Sequence, residues 1–211
     1  MKKIVIPVLA AAAFLGSGQL FAQQKKNFIS VGAGYADRND IYETGTGAIG
    51  KNSSHYVNIS LAYGYYFKER WAIGILGGYS SNTSDNTIPS KNSGWNVGPF
   101  VRYEQPIWNS RLSVYADGAA LANFGRVDAD TEPVTGLHYR EQKTSGYNLS
   151  ITPGLLFHLT PSFSLTANMG SVFAAGVRTT KVGSTKSTSS EAGLFKDFRL
   201  NNVMLGINFH F

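Results

Sequence analysis

The sequence predicts an all-β protein, an eight-stranded antiparallel up-and-down barrel that spans a membrane. Apolar side chains recur at every second position in eight separate stretches. The connections between these stretches are alternately short and long. Only 15% of the residues are charged, and most of them fall in the connections. Because a period of two places alternate side chains on opposite faces of a strand, each stretch has one apolar and one polar face.

Residues 1–22 are predicted to be a removed signal peptide. Lys2 and Lys3 precede an apolar stretch from Ile4 to Leu15, and this stretch is too short to cross a bilayer as a helix. Residues 23–211 are therefore expected to form one barrel domain, in which strands make any membrane span. The chain has no Cys, which excludes disulfides and thiolate metal sites. Its 19 basic and 13 acidic residues suit an anionic membrane surface and do not by themselves indicate nucleic acid.

Eight strands and three short turns can be placed along the chain. The strands are predicted at 27–37, 55–66, 71–80, 94–105, 111–124, 146–159 and 163–176, with a last strand that begins as early as Phe195; the short turns lie at 67–70, 106–110 and 160–162. Pro99 and Pro153 fall inside two of these strands. Because proline cannot donate a ladder hydrogen bond, a bulge or bend is expected at each.

The polar faces of the strands indicate which side points outward. A soluble lipocalin-like barrel has the same alternation, but its apolar faces point inward and its polar faces point outward. Such a water-facing exterior would carry many Lys and Glu residues. Here the polar faces hold small or amide side chains, which suit a narrow lumen: Asn58, Ser60, Gly64, Asn96, Gly98, Asn148, Ser150, Gly154, Asn168 and Gly170. The apolar faces are therefore predicted to contact hydrocarbon.

Aromatic residues gather at both ends of the strands, where rings favour the lipid–water boundary. One predicted girdle lies near the short turns, at Tyr65, Tyr66, Phe67, Trp71, Tyr103, Trp108, Phe157, Phe163, Phe209 and Phe211. The other lies near the long loops, at Tyr35, Tyr56, Tyr79, Trp95 and Tyr147.

Four charges fall on the presumed inner faces of two neighbouring strands, namely Arg102, Glu104, Arg111 and Asp117. A turn near Trp108 would place Glu104 opposite Arg111 and leave Asp117 within diagonal reach of Arg102. Buried charges persist only when they are paired. The set therefore predicts a salt-bridge network that plugs the lumen, with a gate or a proton path as the alternative.

The last strand is the most specific feature of the sequence. Val203, Leu205, Ile207, Phe209 and Phe211 occupy every second position and end on an aromatic residue. This strand resembles the C-terminal strand of bacterial outer-membrane barrels, where the terminal aromatic is the signal read by the assembly machinery. With its strand number and loop alternation, the whole mature chain resembles the small OmpA/OmpX-type outer-membrane proteins. The resemblance implies a monomer in the outer membrane among lipids and lipopolysaccharide, with periplasmic short turns and outer long loops.

Basic residues concentrate in the fourth outer loop of this arrangement. Arg178, Lys181 and Lys186, followed by Lys196 and Arg199, could contact lipopolysaccharide phosphates through charge-assisted hydrogen bonds. A flexible basic loop without a ligand is an equal alternative.

Two other loop motifs are interpreted as solvated loops. The stretch Gly45–Lys51 has the glycine spacing of a phosphate-binding loop, but Asn52 replaces the Ser or Thr that would hold magnesium, and no helix follows. Asp128, Asp130 and Glu132 could bind a hard cation, but the sequence offers no further ligands. No metal or other cofactor is expected.

The four histidines raise the question of an enzyme. A serine hydrolase needs Ser, His and a carboxylate to converge. His158 and His210 are predicted on inner faces near the periplasmic end, while His55 lies at the outer rim without an acid at a recognisable spacing. The leading hypothesis is a non-enzymatic protein that acts through its outer loops in surface adhesion or envelope integrity. A narrow pore for small solutes and an enzyme that modifies lipid A are the alternatives.

Overall fold

The computed structural model describes residues 25–43, 49–84, 90–107, 111–129, 142–168, 170–195 and 203–211, so the predicted signal peptide lies outside the described part. Ten strands are present: β1 (Asn27–Glu43), β2 (Ile49–Lys68), β3 (Trp71–Ser84), β4 (Ser90–Pro106), β5 (Leu112–Ala129), β6 (Gln142–His158), β7 (Phe163–Asn168), β8 (Phe173–Val182), β9 (Thr185–Leu194) and β10 (Met204–His210). Among these residues no helix is long and apolar enough to cross a membrane.

Eight of the strands close into a ring. Neighbouring strands pair antiparallel in the order β1 to β7, and β10 joins β7 to β1. The closing contact runs from Phe28 opposite His210 to Ala33 opposite Leu205. The prediction of an eight-stranded antiparallel up-and-down barrel is therefore confirmed.

The predicted seventh strand is divided into β7 and β8 beside Pro153. Strand β6 pairs with β8 as far as Ile151 and with β7 from Gly154, and the register shifts by two residues between them. The Ile151 carbonyl accepts a hydrogen bond from the Val172 N–H over 2.9 Å. Because alternate residues of a strand present their backbone groups to the same neighbour, Pro153 turns its nitrogen, which has no hydrogen, toward this break. Gly170, in the break, has a φ of 91°, which glycine adopts without strain.

The second proline has a smaller effect. Val97 lies opposite Ala122 and Phe100 opposite Ala119, so the register between β4 and β5 is the same on both sides of Pro99. The expected bulge at Pro99 is therefore not formed, and the disturbance is limited to the pairing of Gly98 and Pro99 with β5.

Several predicted outer loops are strands in the structure. Strand β2 begins at Ile49 instead of residue 55, and the predicted fourth loop forms the β8–β9 hairpin, which turns at Gly183. The apolar alternation used for the prediction ends where lipid contact ends. Backbone pairing continues beyond that boundary through Ser-, Thr- and Asn-rich segments, which carry no apolar period.

The apolar faces point outward, as predicted. Val203, Leu205 and Ile207 are exposed on the outside of the ring, whereas Asn208 is fully buried inside it. On β2 the exposed apolar positions run from Val57 to Tyr65, which is the length that a tilted transmembrane strand needs.

Aromatic residues mark both edges of this apolar belt. The predicted girdle members that are exposed are Tyr35, Trp95 and Tyr147 at the outer edge and Tyr65, Phe67, Trp71, Phe157, Phe163, Phe209 and Phe211 at the inner edge. Two members were wrongly placed. Tyr66 is buried in the lumen, and Tyr56, on the same face of β2, accepts a hydrogen bond from Asn58 there. Trp108 lies outside the described residues.

Candidate functional site

The periplasmic half of the lumen is filled with side chains. Phe28, Tyr66, Phe100 and Leu156 are buried there, together with three small alanines, Ala62, Ala72 and Ala119. Gly64 makes this packing possible, because a Cβ at that position would overlap the Phe28 ring. The Phe28 and Tyr66 rings lie 5.3 Å apart, in a tilted arrangement that aromatic pairs favour.

A bidentate ion pair joins the inner faces of the adjacent strands β4 and β5. Arg102 lies directly opposite Asp117. Its Nε donates to Asp117 Oδ1 over 2.7 Å, and its Nη2 donates to Oδ2 over 2.8 Å. The guanidinium also lies 4.3 Å from the centre of the Tyr115 ring and 4.9 Å from that of Phe28. Two parallel hydrogen bonds and two aromatic faces fix the guanidinium in one place.

The second lumen carboxylate, Glu104, has different partners from those expected. Tyr115, not Arg111, lies opposite Glu104, because the register differs by four residues from the predicted one. Strand β4 continues to Pro106, and the Ile107 N–H donates to the Leu112 carbonyl, so the turn is centred further along the chain than Trp108. The Arg111 side chain is exposed.

Glu104 instead begins a chain of hydrogen bonds through the partly buried His158 and the buried His210. It accepts from the Tyr66 hydroxyl over 2.7 Å and lies 3.1 Å from His158 Nε2. Since a carboxylate only accepts, Nε2 carries the proton in this contact. His158 Nδ1 then accepts from Ser164 Oγ over 2.9 Å, and Ser164 accepts from His210 Nε2 over 3.2 Å.

The order Ser164, His158, Glu104 is that of a serine–histidine–acid triad, but its surroundings do not suit catalysis. Ser164 is fully buried among the groups that fill the lumen, so a substrate carbonyl has no route to its hydroxyl. The hydrogen bonds of this arrangement satisfy polar groups inside the barrel and link β4, β6, β7 and β10. Only the placement of His158 and His210 near the periplasmic end was visible in the sequence; their convergence on Ser164 depends on the pairing of β7 with both β6 and β10.

The remaining histidine in the described part has an acidic neighbour that the sequence analysis missed. His55 lies opposite Asp37 across β1 and β2, and its Nδ1 is 3.3 Å from Asp37 Oδ1. Both side chains are exposed at the outer rim. The pairing depends on the register of a hairpin whose loop was predicted to start at residue 38, which explains why spacing alone did not find it.

The outer half of the lumen is hollow. A cavity of about 390 Å³ is bounded there by the inner faces of β3 to β6 and of β8 and β9. Asn96, Asn123, Asn148 and Ser189 are among the polar residues of its lining, which also includes the apolar residues Trp95, Phe124, Tyr147 and Val177. Arg178 also faces this cavity, because it lies opposite Gly146 and Ser189 on the inward side of the strands.

The expected lipopolysaccharide contacts therefore separate into two groups. Arg178 points inward, while Lys181 lies opposite Lys186 on the outward face. The same outward row continues through Lys143 and Arg126, so that four cations on four adjacent strands stand directly opposite one another. We call Arg126, Lys143, Lys181 and Lys186 the cation row.

Other predicted loop features lie wholly or partly outside the described residues. These include residues 44–48 of the glycine-rich loop, Asp130, Glu132, His138, Lys196 and Arg199. Asp128 is described and forms an ion pair with Arg126 in which Nε and Oδ1 are 2.8 Å apart. Within the described part of the chain, no group of three or more His, Asp or Glu side chains could hold a metal ion.

Comparison with known proteins gives similarity at the level of structure. No protein-family model and no curated protein sequence matches the chain. Neisserial surface protein A is a similar solved structure, with 16% identity, a TM-score of 0.45 and coverage of 88% of this chain and 96% of that one. Ail, the attachment invasion locus protein of Yersinia pestis, has 18% identity and a TM-score of 0.40, with coverage of 90% and 100%.

A major outer membrane protein from Thermus thermophilus is also similar, with 16% identity and a TM-score of 0.42 over 88% of this chain and 99% of that one. The ring of eight strands, the apolar exterior and the polar lumen together are those of a small outer-membrane β-barrel. The role of β10 in assembly and the monomeric state stay predictions.

Proposed function

We propose that this chain is a non-enzymatic integral protein of the outer membrane that supports envelope integrity by binding lipopolysaccharide phosphates. The cation row is the observation that carries this proposal. All four of its side chains are exposed on the outward face, and like charges directly opposite one another in a ladder are destabilising. Asp128 already pairs with Arg126, so the repulsion that matters is the one between Lys181 and Lys186, which lie directly opposite each other. A bound anionic headgroup would remove this repulsion.

The height of the cation row supports the same ligand. Lys143 lies four residues beyond Tyr147, the girdle aromatic of β6. This separation is roughly 13 Å along the strand, which corresponds to about 9 Å along the membrane normal for a strand tilted by about 45°. The row therefore lies beyond the hydrocarbon and at the level of the headgroups, where Lys and Arg side chains bind phosphate.

The alternatives have weaker support. A pore needs an open lumen, whereas Phe28, Tyr66, Phe100 and the Arg102–Asp117 pair fill it. A lipid-modifying enzyme needs an accessible nucleophile, whereas Ser164 is fully buried. Adhesion would act through the outer loops; the cation row is the described feature that supports envelope integrity.

The double variant Lys181→Gln/Lys186→Gln tests the proposal. Each lysine near an anionic surface contributes about 1 kcal/mol, so purified protein should bind lipopolysaccharide roughly 10- to 30-fold more weakly, and the residual binding should depend less on salt. Cells that carry the variant should become more sensitive to bile salts.

Lys25→Gln/Lys68→Gln removes the same charge at the periplasmic end and serves as the matched control. Equal lipopolysaccharide binding by the two double variants would contradict the proposal, as would equal binding to intact and to dephosphorylated lipopolysaccharide.

A further inference from the structure

The cavity in the outer half of the lumen has the size of a small-molecule site. Its volume of about 390 Å³ lies within the range of roughly 300 to 1,000 Å³ that is usual for such sites. Strands β4, β5, β6 and β8 each contribute a glycine to its wall, at Gly94, Gly125, Gly146 and Gly176. A Cβ at Gly146 or Gly176 would overlap a backbone oxygen of the neighbouring strand, so glycine at these positions lets the strands of the wall approach closely.

The groups around the cavity suit a ligand rich in hydroxyl groups. Asn92, Asn96, Asn123 and Asn148 bring four amides to it, and each amide can both donate and accept hydrogen bonds. The Oδ1 atom of Asn148 is buried without a hydrogen-bond partner. Amides in this number, with serine hydroxyls beside them, can bind several hydroxyls of one molecule.

Among the described residues that line the cavity, Arg178 is the one cation, and it can bind an anionic group of a ligand. Arg178 faces the cavity, and among the described residues no carboxylate is ion-paired with its guanidinium. A guanidinium binds a carboxylate through two parallel hydrogen bonds. Glu191 also lines the cavity, diagonally across the β8–β9 ladder from Arg178.

The cavity ends within the barrel. Leu121 lies two residues from Asn123 on the same face of β5, and it packs against the buried cluster that contains Phe28 and Phe100. A molecule that enters the outer half is therefore held and not conducted.

We propose that this cavity is a binding site for a small acidic sugar with one carboxylate, in which Arg178 binds the carboxylate and the asparagine amides bind the hydroxyls. The site is separate from the proposed lipopolysaccharide site. Arg178 points into the lumen, whereas Lys181, three residues further along β8, points outward.

Galacturonate is the probe for this proposal, and calorimetric titration of the full barrel in detergent micelles is the measurement. We expect saturable binding that Arg178→Gln weakens about tenfold or more, because a charge-assisted bidentate contact is lost. Arg178→Lys keeps the charge without the planar guanidinium. Its affinity for galacturonate should therefore lie between the affinities of the unmodified protein and of Arg178→Gln. Lys181→Gln is the matched control and should bind like the unmodified protein. Heat-modifiable migration in gels establishes that each variant is folded.

Three results would overturn the proposal: no binding of galacturonate, binding that Arg178→Gln leaves unchanged, or equally tight binding of neutral galactose. The lysine variants keep this test separate from the lipopolysaccharide test. A barrel that loses lipopolysaccharide binding with Lys181→Gln/Lys186→Gln but retains galacturonate would support both sites independently.

Discussion

The inner and outer halves of the lumen are enclosed by the same strands and differ in what fills them. In the inner half, aromatic rings pack against glycine and an arginine forms a bidentate ion pair with an aspartate. In the outer half, asparagines and glycines at equivalent inward positions leave a cavity. The period of the strands therefore decides which side chains face inward, whereas their size and charge decide whether the lumen is closed or hollow.

The largest difference is expected between the ion pair inside the lumen and an ion pair on the outward face of the barrel. Arg102→Met leaves Asp117 unpaired inside the barrel and should lower the free energy of unfolding by about 3 to 5 kcal/mol. Arg126→Met removes an exposed partner of Asp128 and should cost less than about 1 kcal/mol. Urea unfolding in lipid vesicles, followed by tryptophan fluorescence, measures both. Most of the loss should be recovered by Arg102→Met/Asp117→Leu, and equal losses in the two single variants would contradict the comparison.

A smaller difference is expected for added methyl groups. Gly64→Ala places a Cβ on the Phe28 ring and should cost about 1 to 3 kcal/mol, as overpacking does. Gly118→Ala is the control, because its Cβ would face lipid with Val101 O as the nearest atom at 3.9 Å. Phe28→Leu should relieve the cost of Gly64→Ala in a double-mutant cycle. A lack of coupling between residues 28 and 64 would show that the ring does not occupy this space.

The smallest difference concerns single polar side chains. Ser164→Ala removes hydrogen bonds to His158 and His210 and should cost about 1 to 3 kcal/mol, because His210 stays buried without its partner. Asn123 faces the outer cavity, so Asn123→Ala should change the free energy of unfolding by no more than about 0.5 kcal/mol. The same urea titrations give both values, and a reversed order would place the closed part of the lumen in the wrong half.

The sequence predicted the ring from the period of two and the alternating loop lengths, and it predicted the direction of the faces from the small, uncharged residues on the polar faces. Contacts that depend on register were less accessible. The Arg102–Asp117 pair was expected as a diagonal contact, and Glu104 was expected opposite Arg111, because the position of the turn after Pro106 cannot be derived from alternation. Tyr66 was placed in the girdle because an aromatic residue beside a turn can lie on the outer or the inner face. It lies two residues from Gly64 and therefore on the same inner face of β2, where it is buried.

The cavity was not predicted, because a run of small inward-facing residues is compatible with a filled narrow lumen and with a hollow one. The inward orientation of Arg178 was missed for a related reason. Its strand lies where the sequence indicated a loop, and a loop has no alternating faces from which the direction of a side chain can be predicted.

Accessibility of single cysteines tests the division of the lumen most directly, and the absence of native Cys makes the background negligible. Asn123→Cys faces the cavity, while Ser113→Cys replaces a buried residue in the filled half. Whole cells would be treated with a charged, membrane-impermeant thiol reagent. We expect rapid modification of Asn123→Cys and none of Ser113→Cys; comparable modification of both would show that the lumen is open throughout and would contradict this account.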